Sequence, residues 1–427
     1  MPARFLAPLG MTRAALLGVA GLLLTFTAPS HRPDLLVFGV IAVAAALVWQ
    51  PRSGPLLIGA ALPFYFFSRQ LVGPLSVSPP GLTLLLAWFG AAVQGVRGRV
   101  ALRLPRSSYD APLALFLAAA LLGLLVSEYP LLSARELRAL IFEPILFFWL
   151  LRCLPGSSRL ALGGFLAAAT LVAGAAVVQV ALGIGGTEAE GVRRAQAWYP
   201  SPNHMALMLG RAWPFLLAIG LARFRVVALP AAVVGVAVVL SFSTGAWLGL
   251  AVATIVTLAS LGLRRLAVAT GAVLAVGLLG TSALAIVGAL PERLNPLRQT
   301  GGFRIDLWLS SLQMLRDHPL FGVGLDNFVY QYQNYLREGA VAEPNLSHPH
   351  NWMLNFWLEM GLPGLIAFVW LIVTFARRAV RQRTWLAAGA LGAMADMLTH
   401  GLIDNSYFLV DLAFLFWLIL AIVEEPE

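Results

Sequence analysis

Long apolar runs dominate this chain. Fourteen segments rich in Leu, Ala, Val, Gly and Phe follow one another, at roughly 14–29, 34–49, 55–67, 81–96, 111–126, 139–151, 160–182, 204–221, 226–241, 245–262, 266–289, 352–375, 384–400 and 408–423. A run of about 20 apolar residues crosses a bilayer as an α-helix, which satisfies its own backbone polar groups. Several runs are shorter, so one or two are expected to be re-entrant or merged. The third, the sixth and the pair across 226–262 are the first candidates. The pattern predicts an all-α polytopic membrane protein of about 12–14 transmembrane helices, forming a single integral membrane domain over 1–427. Arg4 and Arg13 precede the first run as in a signal peptide. With so many spans behind it, an uncleaved first helix is expected. Neither an internal repeat nor paired broken helices of the transporter type are visible.

Composition agrees with this picture. The 427 residues are 59% hydrophobic and only 11% charged, against about 25% charged in soluble chains. A soluble enzyme, a disordered chain and an ordinary nucleic-acid-binding domain are excluded. Formal net charge is +9, and all 29 basic residues are arginine. Codon usage in a GC-rich genome explains the absence of lysine, and so does a preference for guanidinium at phosphate sites; composition leaves both open. The single cysteine, Cys153, cannot form an intramolecular disulfide, and no Cys/His zinc spacing occurs.

The arginines set the orientation. With the N-terminus in the cytoplasm, seventeen fall on its side, most densely in the short connectors 97–106 and 376–383. Eleven fall on the other side (Arg32, Arg69, Arg135, Arg138, Arg193, Arg194, Arg293, Arg298, Arg304, Arg316 and Arg337), spread over far more loop residues. The positive-inside rule then places both termini in the cytoplasm. The two longest loops, 183–203 and 290–351, become extracytoplasmic. Loops of that length are usually functional, and the second contains predicted helices over 303–317 and 326–338.

Four constellations in or near these loops could carry chemistry. Arg193 and Arg194 lie outside against the charge bias, so an anionic partner and an ordinary solvated loop are both consistent with them. Asn203 follows Pro202 and is expected to cap the next helix, which carries Arg211 inside a span, a costly place for a charge. Arg304 and Trp308 are four apart and share a helix face, fitting either a cation–π pair or a phosphate contact. In Gly322-Val-Gly324-Leu-Asp326 the glycines read as a tight turn, with Asp326 capping the helix that follows. The fourth, His348-Pro-His350-Asn351 followed by Gly361-Leu-Pro-Gly364, sits where the outer loop becomes a membrane helix. An imidazole there can take a proton from an alcohol, and Asn351 can orient it or a sugar hydroxyl. His348 and His350 could share a metal, but no third ligand stands at a suitable spacing, so no metal is expected. Glu359 lies within the same span. His400 and Asp404 bound the last outer turn, where Asp404 reads first as solvated, or else as neutralising an arginine or orienting a polar group.

Taken in order, Arg194, Pro202-Asn203, Ser241-Phe-Ser-Thr244-Gly, Arg304 to Trp308, Gly322-Val-Gly324 with Asn327-Phe328, and His350-Asn351-x9-Gly361-x-x-Gly364 resemble the O-antigen ligase and O-antigen polymerase superfamily, most closely the ligases, over about 160–410. Many relatives carry arginine where this chain has Thr244, so no role for that arginine transfers. The resemblance implies a GT-C-type glycosyltransferase of the bacterial inner membrane, with a large periplasmic helical loop and a periplasmic active site, using neither metal nor other cofactor. The implied partners are a glycan donor on undecaprenyl diphosphate, a lipid A–core acceptor and membrane lipids, with no nucleic acid. His350 would act as base, while Arg194 and Arg304 hold the diphosphate. Arg193, Arg211, Asn203, Asn351, His348, Trp308 and Asp326 would help bind substrate. A repeat-unit polymerase, a protein O-oligosaccharyltransferase and a transporter of anions or lipids are the alternatives.

Overall fold

The computed structural model describes residues 9–29, 31–72, 75–189, 192–287, 301–336 and 348–425. Arg293, Arg298 and Arg337, three of the outer arginines, lie outside the described residues, as does much of the loop 290–351. Each of the fourteen apolar runs is helical over most of its described residues. The helices are α1 (Leu9–Thr27), α2 (Pro33–Trp49), α3 (Ser53–Ala61), α4 (Pro79–Val96), α5 (Asp110–Leu125), α6 (Pro130–Glu136), α7 (Glu143–Cys153), α8 (Ser157–Leu182), α9 (Pro202–Ala222), α10 (Ala228–Leu240), α11 (Thr244–Ser260), α12 (Arg264–Ile286), α13 (Gly301–Asp317), α14 (Phe328–Tyr332), α15 (Trp352–Arg381), α16 (Trp385–His400) and α17 (Val410–Glu424). Six are long and apolar enough to cross a membrane: α1, α4, α8, α9, α12 and α15. Five further apolar helices of 10–17 residues, among them α2, α5 and α11, are shorter. The chain is a multi-pass membrane protein.

Two features depart from the expected all-α picture. Arg69–Val72 and Leu75–Val77 form one antiparallel ribbon (β1 and β2), and Thr187–Ala189 and Val192–Arg194 form another (β3 and β4). The helix expected over 326–338 is only the short α14 followed by a 3-10 turn at Gln333–Tyr335. The uncertain sixth run begins as a π-helical turn, Leu137–Phe142, and continues as α7 from Glu143-Pro144; proline without an N–H is tolerated in such a first turn.

The chain divides into two compact units. One comprises 1–106, 142–171 and 413–427, the other 107–141 and 172–412. In the first, glycines let backbones approach closely, as small residues do in membrane bundles: a side chain at Gly59 or Gly164 would overlap the carbonyls of Ala161 and Leu56. In the second, α9, α11 and α16 pack together, and α5 packs on α15. Gly392 sits against Pro214 and Thr257, and Gly249 against Asp396.

Helix α15 is broken, and its break explains two of the sequence motifs. Gly361 has φ 68°, ψ −177°, with Pro363 two residues on. The freed backbone groups find partners in 320–324: Leu362 N–H donates to the Leu320 carbonyl (2.9 Å), and the Leu358 carbonyl accepts from Val323 N–H (2.7 Å). Such substitution by neighbouring backbone is what makes an interrupted helix tolerable in a membrane. A Cβ at Gly361 would stand 2.5 Å from the Leu320 oxygen, and Gly322, at φ 67°, is equally enclosed by the carbonyls of Trp357 and Leu358. The turn 322–324 and the Gly361 motif are therefore the two halves of one joint that fixes the lower part of the helix whose first residues follow His350.

Candidate active site

The site is assembled where α15 begins. Asn351 caps that helix, its Oδ1 accepting from Met353 N–H (3.0 Å) and Leu354 N–H (3.1 Å), while its Nδ2 donates to the Leu402 carbonyl (3.0 Å). Trp352 N–H donates to the Gly401 carbonyl (2.8 Å). These bonds clamp the start of α15 to the turn after α16. The clamp brings His350 to Asp404: Nδ1 of His350 lies 2.9 Å from Oδ1 of Asp404. His350 has φ 49°, a left-handed conformation uncommon for a residue with a Cβ, and strain of this kind persists where the surroundings over-determine it.

Asp404 is the centre of a histidine cluster. His348 Nε2 lies 3.9 Å from Oδ1, and His400 Nε2 lies 4.0 Å from Oδ2. The His348 and His350 rings meet edge to face with centroids 4.6 Å apart. His204, on the first turn of α9, is within electrostatic reach of both Asp404 and His350. Burial pushes His348 down to about 4, so it is neutral at pH 7. Burial alone would raise the Asp404 carboxyl, but the facing imidazoles of His348 and His350, the latter in hydrogen-bond contact, outweigh it and hold the group well below the usual carboxylate range. Asp404 is thus an anion at neutral pH. It is 3% exposed, so the solvated turn expected for Asp404 is corrected: loop 401–409 folds inward, with Asn405 Oδ1 accepting from Phe408 N–H at 2.9 Å.

The candidate arginines are seated on different elements. Trp308 Nε1 donates to the Pro349 carbonyl (3.1 Å), which seats α13 on the histidine segment; Arg304, one turn earlier, is within electrostatic reach of His400. Trp308 is thereby a strut for the loop. Arg194 donates from Nη2 to Asn203 Oδ1 (2.8 Å) and from Nε to the Ser241 carbonyl (2.8 Å). Asn203 does not cap α9; Ser201 does, accepting from His204 N–H at 3.2 Å, which leaves Asn203 to orient Arg194. Adjacent strand residues point to opposite faces. So Arg193 turns the other way and pairs within the ribbon, with Glu188 and the Gly183 and Gly185 carbonyls.

Two candidates lie elsewhere. Arg211 is fully buried and donates to the Ser406 carbonyl, with Asp396 and Asp411 in electrostatic reach. It braces the loop that carries Asp404. Asp326, at φ 56°, does not cap the next helix. Asn327 holds that position without a side-chain cap bond, and its amide instead donates to Ser127 Oγ (2.8 Å) and Ser133 Oγ (2.9 Å). Asp326 N–H donates to Glu359 Oε2 (2.5 Å). Burial, then Glu136's neighbour Asp326, raises the Glu136 carboxyl well above its ordinary value; this group of acids is separate from the histidines.

His348, His350 and Asp404 together present three ligand atoms within 4.8 Å of one another. The third ligand missing from the local spacing thus arrives from 54 residues downstream. The His350–Asp404 separation of 2.9 Å suits a hydrogen bond. Ligands each about 2.0–2.2 Å from a tetrahedral zinc would stand roughly 3.3 Å apart.

With this geometry in place, residues 229–369 match the family described as Wzy_C, O-antigen ligase. The matched segment is about a third of the chain. It runs from α10 into α15, and so contains Arg304, Trp308, His348, His350, Asn351 and the Gly361 joint. Wzy_C proteins are membrane enzymes that transfer glycans, and the family covers both O-antigen ligases and polymerases. Arg194 and Asp404 lie outside the matched residues, and Asp404 meets His350 only through the fold. A second similarity is to an uncharacterized protein of Haemophilus influenzae, 31% identical over 75 residues. It covers 17% of this chain, and the chain spans about a fifth (19%) of that relative.

Proposed function

We propose that the protein is an O-antigen ligase, transferring a glycan from undecaprenyl diphosphate to a lipid A–core hydroxyl on the periplasmic face, with both termini cytoplasmic. The observation that carries the chemistry is the His350–Asp404 pair. A carboxylate on Nδ1 fixes the tautomer that leaves the Nε2 lone pair as the base. The acceptor hydroxyl loses its proton to Nε2 as its oxygen attacks the anomeric carbon. The bond from that carbon to the diphosphate oxygen breaks, undecaprenyl diphosphate leaves as the anion, and configuration inverts. Charge building on the leaving diphosphate is stabilised by guanidinium forks, supplied by Arg304 and by Arg194 in the setting of Asn203 and Ser241. His348 and Asn351 shape the acceptor side.

The reading makes no use of a metal, so transfer by the purified protein is expected to be unchanged by EDTA. Arg304→Ala should lower turnover roughly 10²–10³-fold, the scale for losing one donor to a developing oxyanion. Arg304→Lys should recover only part of the loss, because a point charge cannot bind two phosphate oxygens in parallel. Single-turnover assays with a lipid-linked donor check both.

The discriminating experiment is genetic. In a host lacking this gene, the ligase reading expects glycan polymer to accumulate on the carrier with none on lipid A–core, restored by the wild-type gene and not by His350→Ala. Single repeats attached to core would identify a polymerase. Unchanged pools of both would overturn both readings.

A further inference from the structure

A second basic site lies in the other unit, at the ends of α2, α4 and α7. Four arginines, Arg52, Arg99, Arg103 and Arg152, line one cavity of about 780 Å³, and among the described residues no acidic one lines it. That volume is within the range of small-ligand pockets, roughly 300–1,000 Å³. The short connector 97–106 is folded to make the cavity. The Gln94 carbonyl accepts from both Arg99 N–H (2.9 Å) and Val100 N–H (3.3 Å), and Gly98 takes φ 68° to allow the reversal. Arg152 donates to the Pro105 carbonyl, holding the far end of the connector, and lies over the Phe148 ring.

An independent observation points to a ligand. Gln94 lines the cavity and is 4% exposed. Its Nε2 is taken by the Val48 carbonyl, while its Oε1 is buried with no hydrogen-bond partner. A buried acceptor without a partner costs on the order of 1–3 kcal/mol, and a hydroxyl or acid proton of a bound molecule would satisfy it. At the same rim Trp49 is 55% exposed, as expected of an aromatic side chain at a membrane–water interface.

We propose that this cavity binds a phosphate-bearing anion that also offers a hydroxyl donor, either the headgroup of an anionic lipid or a free phosphate. The guanidinium groups take the phosphate oxygens and Gln94 Oε1 accepts from the hydroxyl. The positive-inside rule would gather arginines on one side of the membrane without collecting four around a single cavity that holds a buried, unsatisfied acceptor.

Native mass spectrometry of the delipidated full-length protein tests the proposal, with phosphatidylglycerol, phosphatidylcholine and inorganic phosphate as separate probes. Expected is phosphatidylglycerol binding at least about tenfold tighter than phosphatidylcholine, weakened roughly 10- to 30-fold in R99Q/R103Q. R377Q/R381Q, which removes two arginines elsewhere, should leave it unchanged. If inorganic phosphate alone binds, with the same loss in R99Q/R103Q and no preference between the lipids, the ligand is a free phosphate and the anion site stands. Wild-type protein with neither lipid preference nor phosphate binding would overturn the proposal, as would equal losses in the two double variants.

Discussion

Replacing His350 should lower glycan transfer by about 10²–10⁴-fold, the usual worth of a positioned general base, while leaving the protein folded. The backbone at this residue bears on the choice of variant. With φ at 49°, alanine would add strain of its own, whereas asparagine tolerates the left-handed region. His350→Asn keeps a hydrogen-bonding group on the Asp404 side and removes the Nε2 base of this residue. The expected result is therefore a low turnover in both His350→Ala and His350→Asn, with donor affinity close to wild type and the asparagine variant the more heat-stable. Radiolabelled donor assays and thermal melts in detergent read the two properties separately. Wild-type turnover in His350→Asn would show that the imidazole only fills space.

The second large effect is expected at Asp404. This carboxylate accepts from His350 and from Asn405 N–H (2.8 Å) and sits among three histidines. Asp404→Asn is nearly isosteric but offers an amide N–H to a nitrogen that must itself donate. The imidazole is then driven to the tautomer with its proton on Nε2, where no base remains. Loss on the order of 10²–10⁴-fold is expected, the usual worth of a working general base, and the same substitution in the catalytic triad of a serine protease costs about 10⁴-fold. Asp404→Glu, which keeps the charge but displaces it, should fall between. A pH profile separates this from simple instability. The Asp404 carboxyl is held well below its usual range, so wild-type activity should show no ionisation of this group above pH 4, and the residual activity of Asp404→Asn should follow a shifted curve of its own. A profile in the variant superimposable on wild type, merely scaled down, would count against the tautomer role.

The membrane helices were legible because hydropathy needs no knowledge of partners: a run such as 160–182 must be helical in lipid whatever surrounds it. His350, Asn351 and Gly361 were legible as a motif, and Arg304 with Trp308 by helical spacing. What escaped was set by contacts distant in sequence. Asp404 looked solvated from its neighbours Gly401 to Asn405, and only the bonds from Asn351 and Trp352 to 401–402 fold it against His350. Its signal was the four-residue spacing from His400, two titratable groups on one side of a helix end. The ribbon at 187–194 has too few residues for an alternating pattern, so the opposite directions of Arg193 and Arg194 could not be read. By composition Asn203 and Asp326 each read as helix caps. Ser201 and Asn327 hold those positions, because a proline at the first helical position and a left-handed φ move the helix starts by one or two residues.

The most direct test of base-assisted displacement is the stereochemistry of one transfer. Purified protein in liposomes is given a lipid-linked donor of defined anomeric configuration and a lipid A–core acceptor, and the new linkage is determined by NMR. Direct attack assisted by His350 predicts the inverted configuration with release of undecaprenyl diphosphate. A retained configuration, or no transfer to the core in the presence of both substrates, would contradict it.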